Sequence, residues 1–97
     1  MQRWNLAFRM LGDGDNWHVV ARDVQSVSLV LALMTSVRED LCPYSDLVAV
    51  RKRDAVYDVV DMVAGTTNGR TRENVKLCDM STDALEVYVL LNKETVQ

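Results

Sequence analysis

Histidine, cysteine, proline and glycine are all scarce in this chain, and each scarcity excludes something. There is one histidine, His18, so any imidazole-based nucleophile system or metal site would have to be built around it. The two cysteines, Cys42 and Cys78, stand too far apart to form the close-paired ligand spacing that makes a zinc motif specific. One proline and four glycines in 97 residues leave no Pro/Gly-rich linker or low-complexity tract. The longest apolar run, Leu29 to Met34, falls far short of the ~20 residues that a membrane-spanning helix needs. No charge of one sign dominates either: 14 acidic and 11 basic side chains are interspersed, for a net charge of −3, which implies no long-range field.

What the chain does have is a core's worth of apolar residues, 48% of the total beside 26% charged, enough for one compact domain over residues 1–97. The segment after Met1 runs directly into an alternating pattern and lacks the apolar core of a signal peptide. The expectation is a protein that stays in the cytoplasm, with Cys42 and Cys78 as separate, reduced core residues.

Trp4, Leu6, Phe8 and Met10 alternate with polar neighbours, and Trp17, Val19 and Ala21 repeat that period of two. Between them Gly12-Asp13-Gly14-Asp15-Asn16 has the turn chemistry of a hairpin loop. Pairing Met10 with Trp17, Phe8 with Val19 and Leu6 with Ala21 puts the apolar residues on one face and leaves Asn5, Arg9, His18 and Arg22 on an open one. From Val24 to Leu41 the spacing turns helical, with Val27, Val30, Leu31, Leu33, Met34, Val37 and Leu41 within about 160° of one another. Asp23 or Ser26 can cap that helix, and Pro43 ends it.

Leu47 to Arg51 is short and β-branched and reads as a strand. Residues 54–65 carry strand-favouring valines, but Asp54, Asp58 and Asp61 recur at i, i+4 and i+7, with Asp54 as a cap and Gly65 past the end; helix is chosen over strand. Thr66 to Asn74 reads as a long loop. Val75–Met80 and Leu85–Leu91 read as a second hairpin about Ser81-Thr82-Asp83-Ala84. The order is then ββαβαββ, an α+β domain whose mostly antiparallel sheet packs on one long amphipathic helix.

Four patterns invite a functional reading. Asp13-Gly14-Asp15-Asn16 has alternating oxygen ligands like the start of a calcium loop, but the downstream bidentate glutamate is missing. No GK[ST] or GxGxxG follows the glycines, so no phosphate loop, catalytic residue, metal or cofactor is assigned. Arg51-Lys52-Arg53 is the sharpest basic run, and Arg70, Arg72 and Lys76 can extend it toward phosphates, which makes a nucleic-acid-binding regulator the alternative reading. Leu29 lies off the apolar face of the first helix, and Tyr88 and Leu90 make the last segment apolar on both sides. The leading expectation is therefore a non-enzymatic protein–protein interaction module. It would be an accessory or inhibitor protein of the kind found in viruses and mobile elements, binding a protein partner or pairing as a homodimer through Leu29, Tyr88 and Leu90 at an edge strand.

Overall fold

The computed structural model describes residues 3–10, 12, 16–40, 44–66 and 68–95, the side chains of 92–95 excepted. Five strands, β1 (Trp4–Met10), β2 (His18–Val24), β3 (Ser45–Arg53), β4 (Val56–Met62) and β5 (Arg70–Val75), form one antiparallel sheet. Their order across it is β2-β1-β3-β4-β5. Helix α1 (Val27–Asp40) follows β2; a short 3-10 turn (Leu77–Asp79) leads from β5 into helix α2 (Thr82–Thr95). The chain order is thus ββαβββα.

Successive side chains of a strand point to opposite faces, and the two helices take one face each. Trp4, Leu6, Leu47, Ala49, Val60 and Met62 pack with Val30 and Met34 of α1. Their neighbours in the chain, Ala7, Val48, Val50, Tyr57 and Val59, pack with Ala84, Val87 and Leu91 of α2. The fold is α+β as expected, but the sheet lies between two helices, not on one. β3 and β4, buried on both faces from Ser45 to Val50 and from Tyr57 to Met62, therefore need no polar alternation.

That double burial explains the two largest departures from the sequence reading. Residues 54–65 are not a helix. Asp54 and Ala55 form the turn of the β3–β4 hairpin, with Asp54 at φ 51°, and the valines that follow are β4. Gly65 does adopt the left-handed φ of 84°, but in the turn Val63–Thr66, where the Thr66 N–H reaches the Val63 carbonyl at 3.0 Å. Residues 85–91 are not a strand either. Ser81 caps a helix, its Oγ accepting the Ala84 N–H at 3.3 Å and its carbonyl the Leu85 N–H at 2.9 Å. Ala84, Val87, Tyr88 and Leu91 then fall at i, i+3, i+4 and i+7, the face laid on the sheet. The segment 66–74, expected to be a loop, contains most of β5, and Val75–Met80 holds only the end of β5 and the 3-10 turn.

Helix α1 matches its expected span closely. Its N-cap is Ser26, whose Oγ accepts the Leu29 N–H at 3.3 Å, while Asp23 sits outside at φ 59°. At the other end Arg38 donates to the carbonyls of Met62 and Val63, tying the last turn to β4. Leu41, Cys42 and Pro43 lie outside the described residues, as do Asp13, Gly14 and Asp15 of the supposed calcium-like loop.

The first hairpin pairs Leu6 with Ala21 as expected, but Ala7 lies opposite Val19 and Phe8 opposite His18. The expected Phe8–Val19 and Met10–Trp17 pairs are displaced because the β1–β2 ladder is interrupted twice, between Trp4 and Leu6 and between Leu6 and Ala7. His18 consequently stacks on Phe8 on the α1 face, ring centroids 5.1 Å apart. Trp17 and Val19 turn to the face that α2 covers. The face expected to be open is thus a second core. Cys78, expected inside, is exposed on the 3-10 turn with its thiol free.

Candidate functional site

The charged residues singled out in the sequence converge on β4, from both sides. Arg51 lies directly across from Asp58 in the β3–β4 ladder, and Arg53, two residues on, shares its face. Both guanidiniums donate to the Asp58 carboxylate, Arg53 Nε at 2.6 Å and Arg51 Nε at 3.0 Å. The Asn74 N–H from β5 adds a third donor at 3.2 Å. Asn74 reaches that position at φ 57°, in an irregularity of the β4–β5 ladder where an asparagine tolerates the left-handed conformation. Arg51 also lies over the buried Trp4 ring, 4.7 Å from its centroid. The hydrogen bond from Arg53 pulls the Asp58 carboxyl down to about 2, against the burial that would raise it, with Arg51 and Asn74 adding to the same effect.

Three residues further along, Asp61 points to the α2 face and meets a second arginine pair, Arg70 and Arg72 of β5, each at 3.3 Å. The supposed acidic helix stripe is therefore two carboxylate acceptors on opposite faces of one strand, with Asp54 apart in the turn. Asp61 lines a cleft of about 80 Å³ with Asp46, Arg70, Ser81 and Asp83. Asp46 accepts from Arg9 at 2.8 Å and from the Ala64 N–H at 2.9 Å. Arg9 reaches on to Asp83 at 3.3 Å and to Glu86 at 3.6 Å, and lies over the Trp17 ring. Burial would lower the Arg9 pKa, but the hydrogen bond to Asp46 and the charges of Asp83 and Glu86 outweigh it and raise it. Every carboxylate of this cleft thus faces a guanidinium, and among the described residues no cluster of histidine, cysteine or carboxylate groups could hold a metal ion.

The four arginines proposed as phosphate ligands are accordingly engaged: Arg51 and Arg53 on Asp58, Arg70 and Arg72 on Asp61. Lys52 and Lys76 are exposed. The arrangement was legible in outline as an Arg-x-Arg on each side of the valine-rich stretch that holds two aspartates, a pattern that a strand flanked by two strands turns into paired clasps.

The partner-binding residues from the sequence do not form one patch. Leu29 is exposed at 51% on α1, whereas Tyr88 and Leu90 belong to α2, on the other side of the sheet. Tyr88 is half-buried and packs edge-on against Tyr57, centroids 4.9 Å apart. Its hydrogen bond, with burial, pushes the Tyr57 phenol up to about 12. Leu90 joins Leu85, Glu86 and Val89, residues the sequence reading did not single out, around an open, mostly apolar groove of about 440 Å³. Leu85 is 39% and Val89 53% exposed. The signal that could have found them is helical: at 100° per residue Leu85, Val89 and Leu90 all lie away from the sheet-facing stripe.

Edge pairing through Leu85–Leu91 is ruled out by their helical conformation, and both actual edges are blunted. β2 is interrupted twice, while β5 exposes arginine, threonine and glutamate. Among the described residues no helix is long and apolar enough to cross a membrane. No family model, curated protein or solved structure matches the chain.

Proposed function

We propose that this protein is a non-enzymatic interaction module that pairs with a second copy of itself through the outer face of α2. The observation that carries the reading is the makeup of α2 from Ala84 to Leu91, where Glu86 is the one polar exception besides the amphipathic Tyr88. A helix apolar on all sides belongs inside a protein, and the sheet covers only the Ala84–Val87–Leu91 side. The opposite side carries Leu85, Val89 and Leu90.

Charge is compatible with self-pairing. Glu86 is hydrogen-bonded by the Trp17 indole N–H at 2.8 Å and lies 3.6 Å from Arg9 of its own chain. The face therefore requires no complementary charge from its occupant. A two-fold pairing then sets the apolar ridge of each copy into the groove of the other, the same patch serving both sides. The nucleic-acid reading asks Arg51, Arg53, Arg70 and Arg72 to face phosphates, and all four are bonded to buried carboxylates.

Sedimentation equilibrium of the wild type and of Val89→Asp tests the proposal, because a buried unpaired carboxylate is incompatible with the interface. The expected result is a dimeric wild type, at twice the 11.0 kDa chain mass, and a monomeric variant with unchanged circular dichroism. A folded Val89→Asp protein that associates like the wild type would overturn the choice of face.

A further inference from the structure

We infer that β5 is an ionically latched strap, a strand that opens and closes locally on the edge of β4 while the rest of the sheet stays folded. None of its six side chains is buried; only Arg72 and Val75 are half-buried, whereas β4 beside it is buried from Tyr57 to Met62. A strand that contributes so little apolar burial relies on its backbone ladder and its charges, and segments of that kind open at less than the global unfolding cost.

The latch has two unequal ends. At the Asn74 end the acceptor is Asp58, whose side chain is 1% exposed and whose arginines come from β3, so that end is a fixed socket into which β5 places the Asn74 backbone N–H, while the Asn74 Oδ1 accepts from Arg53 at 2.7 Å. At the other end the acceptor is Asp61, 11% exposed, and its arginines belong to β5 itself, Arg70 at 64% and Arg72 at 34% exposure. Contacts of 3.3 Å from the exposed Arg70 and the half-buried Arg72 are screened by salt more than the shorter contacts to Asp58, whose carboxylate is 1% exposed although Arg51 and Arg53 also reach water. The other charges around Asp61 are Asp46, Arg9 and Asp83, which are bonded among themselves. Both ends of the strap are anchored beyond the strand: Ala64 donates to Asp46, and Ser81 caps α2. Opening therefore begins at Arg70, proceeds toward Asn74, and exposes the backbone edge of β4 between two fixed points.

Hydrogen exchange by NMR on the intact protein tests this, with wild type at low and at molar sodium chloride and Asp61→Asn at low salt. The expected result is that amides of residues 70–72 exchange faster than those of β1 and β3. Molar salt or Asp61→Asn should accelerate them by a further threefold or more, roughly, relative to β1 and β3. Residues 74–75 should respond less than 70–72. If β5 amides exchange at the rate of β3, or if their salt response is smaller than that, the strap is overturned. The wild-type salt comparison decides the matter even if the variant is poorly folded.

Discussion

The two faces of the sheet are built from the same residue types and finished in different ways. On the α1 side the helix turns Ser28, Ala32, Thr35, Ser36 and Glu39 outward along with Val27, Leu29 and Leu31, its last turn is tied to β4 by Arg38, and Asp58 is gripped at 2.5 to 3.0 Å. On the α2 side the helix turns Leu85, Val89 and Leu90 outward, the carboxylates line a cleft, and the arginines of Asp61 stand at 3.3 Å, Arg70 largely in solvent and Arg72 half-buried. The first face leaves Val27, Leu29 and Leu31 exposed on α1, but its carboxylate is held by short contacts. The second gathers its exposed apolar residues around a groove and bonds its carboxylate more loosely, which is why recognition is proposed there.

The contrast is sharpened most strongly at the core of the α1 side. Met34 is fully buried whereas Leu31, one turn earlier, is 36% exposed with a methyl resting against Gly69. Met34→Ala is expected to cost about 2–5 kcal/mol in urea unfolding, and Leu31→Ala clearly less. Equal losses would show that α1 is seated differently on the sheet.

Next in size come the two aspartates of β4. Asp58→Asn leaves two guanidiniums facing a neutral amide and should cost about 2–3 kcal/mol, less than a fully enclosed pair because Arg51 and Arg53 can reach water. Its pH dependence has a definite sign. The folded-state pKa is depressed to about 2, so the carboxylate's contribution, of order 2 kcal/mol, is complete above the unfolded value near 3.8 and is lost as pH falls toward 2. The stability gap between wild type and Asp58→Asn should therefore close between about pH 4 and pH 2. Asp61→Asn should cost under about 1 kcal/mol, and molar salt should erase most of it. An Asp61 variant as damaging as the Asp58 one would remove the distinction between a fixed and a labile clasp.

How much of this was legible in the sequence follows from the same two-sided burial. Helix α1 was readable because it is amphipathic: one side meets the sheet and the other meets water, so composition and period agree. The pairing of Leu6 with Ala21 was readable, but the bulges that shift Phe8 onto His18 carry no compositional mark. β4 was misread because Asp58 and Asp61 look like a helical polar face when their arginine partners, seven residues before and nine after, are not yet in view. α2 was misread for the complementary reason: Leu85, Val87, Val89 and Leu91 alternate because the helix is apolar on both sides, and that alternation mimics a strand. Of the suspected binding residues, Leu90 lies on the proposed face, Tyr88 supports it from within, and Leu29 belongs to the other side of the sheet.

The smallest expected effect on folding attaches to the residue with the largest expected effect on assembly. Val89→Asp removes an exposed methyl pair and should leave the monomer's stability within about 0.5 kcal/mol, as surface substitutions do. What it should abolish is association, and the wild type alone already tests that. Light scattering of the wild-type protein over a dilution series through the micromolar range should show a mass falling from twice the 11.0 kDa chain to the chain itself. A mass of one chain at every concentration would contradict the account, because the apolar side of α2 would then stay open in water with nothing to cover it.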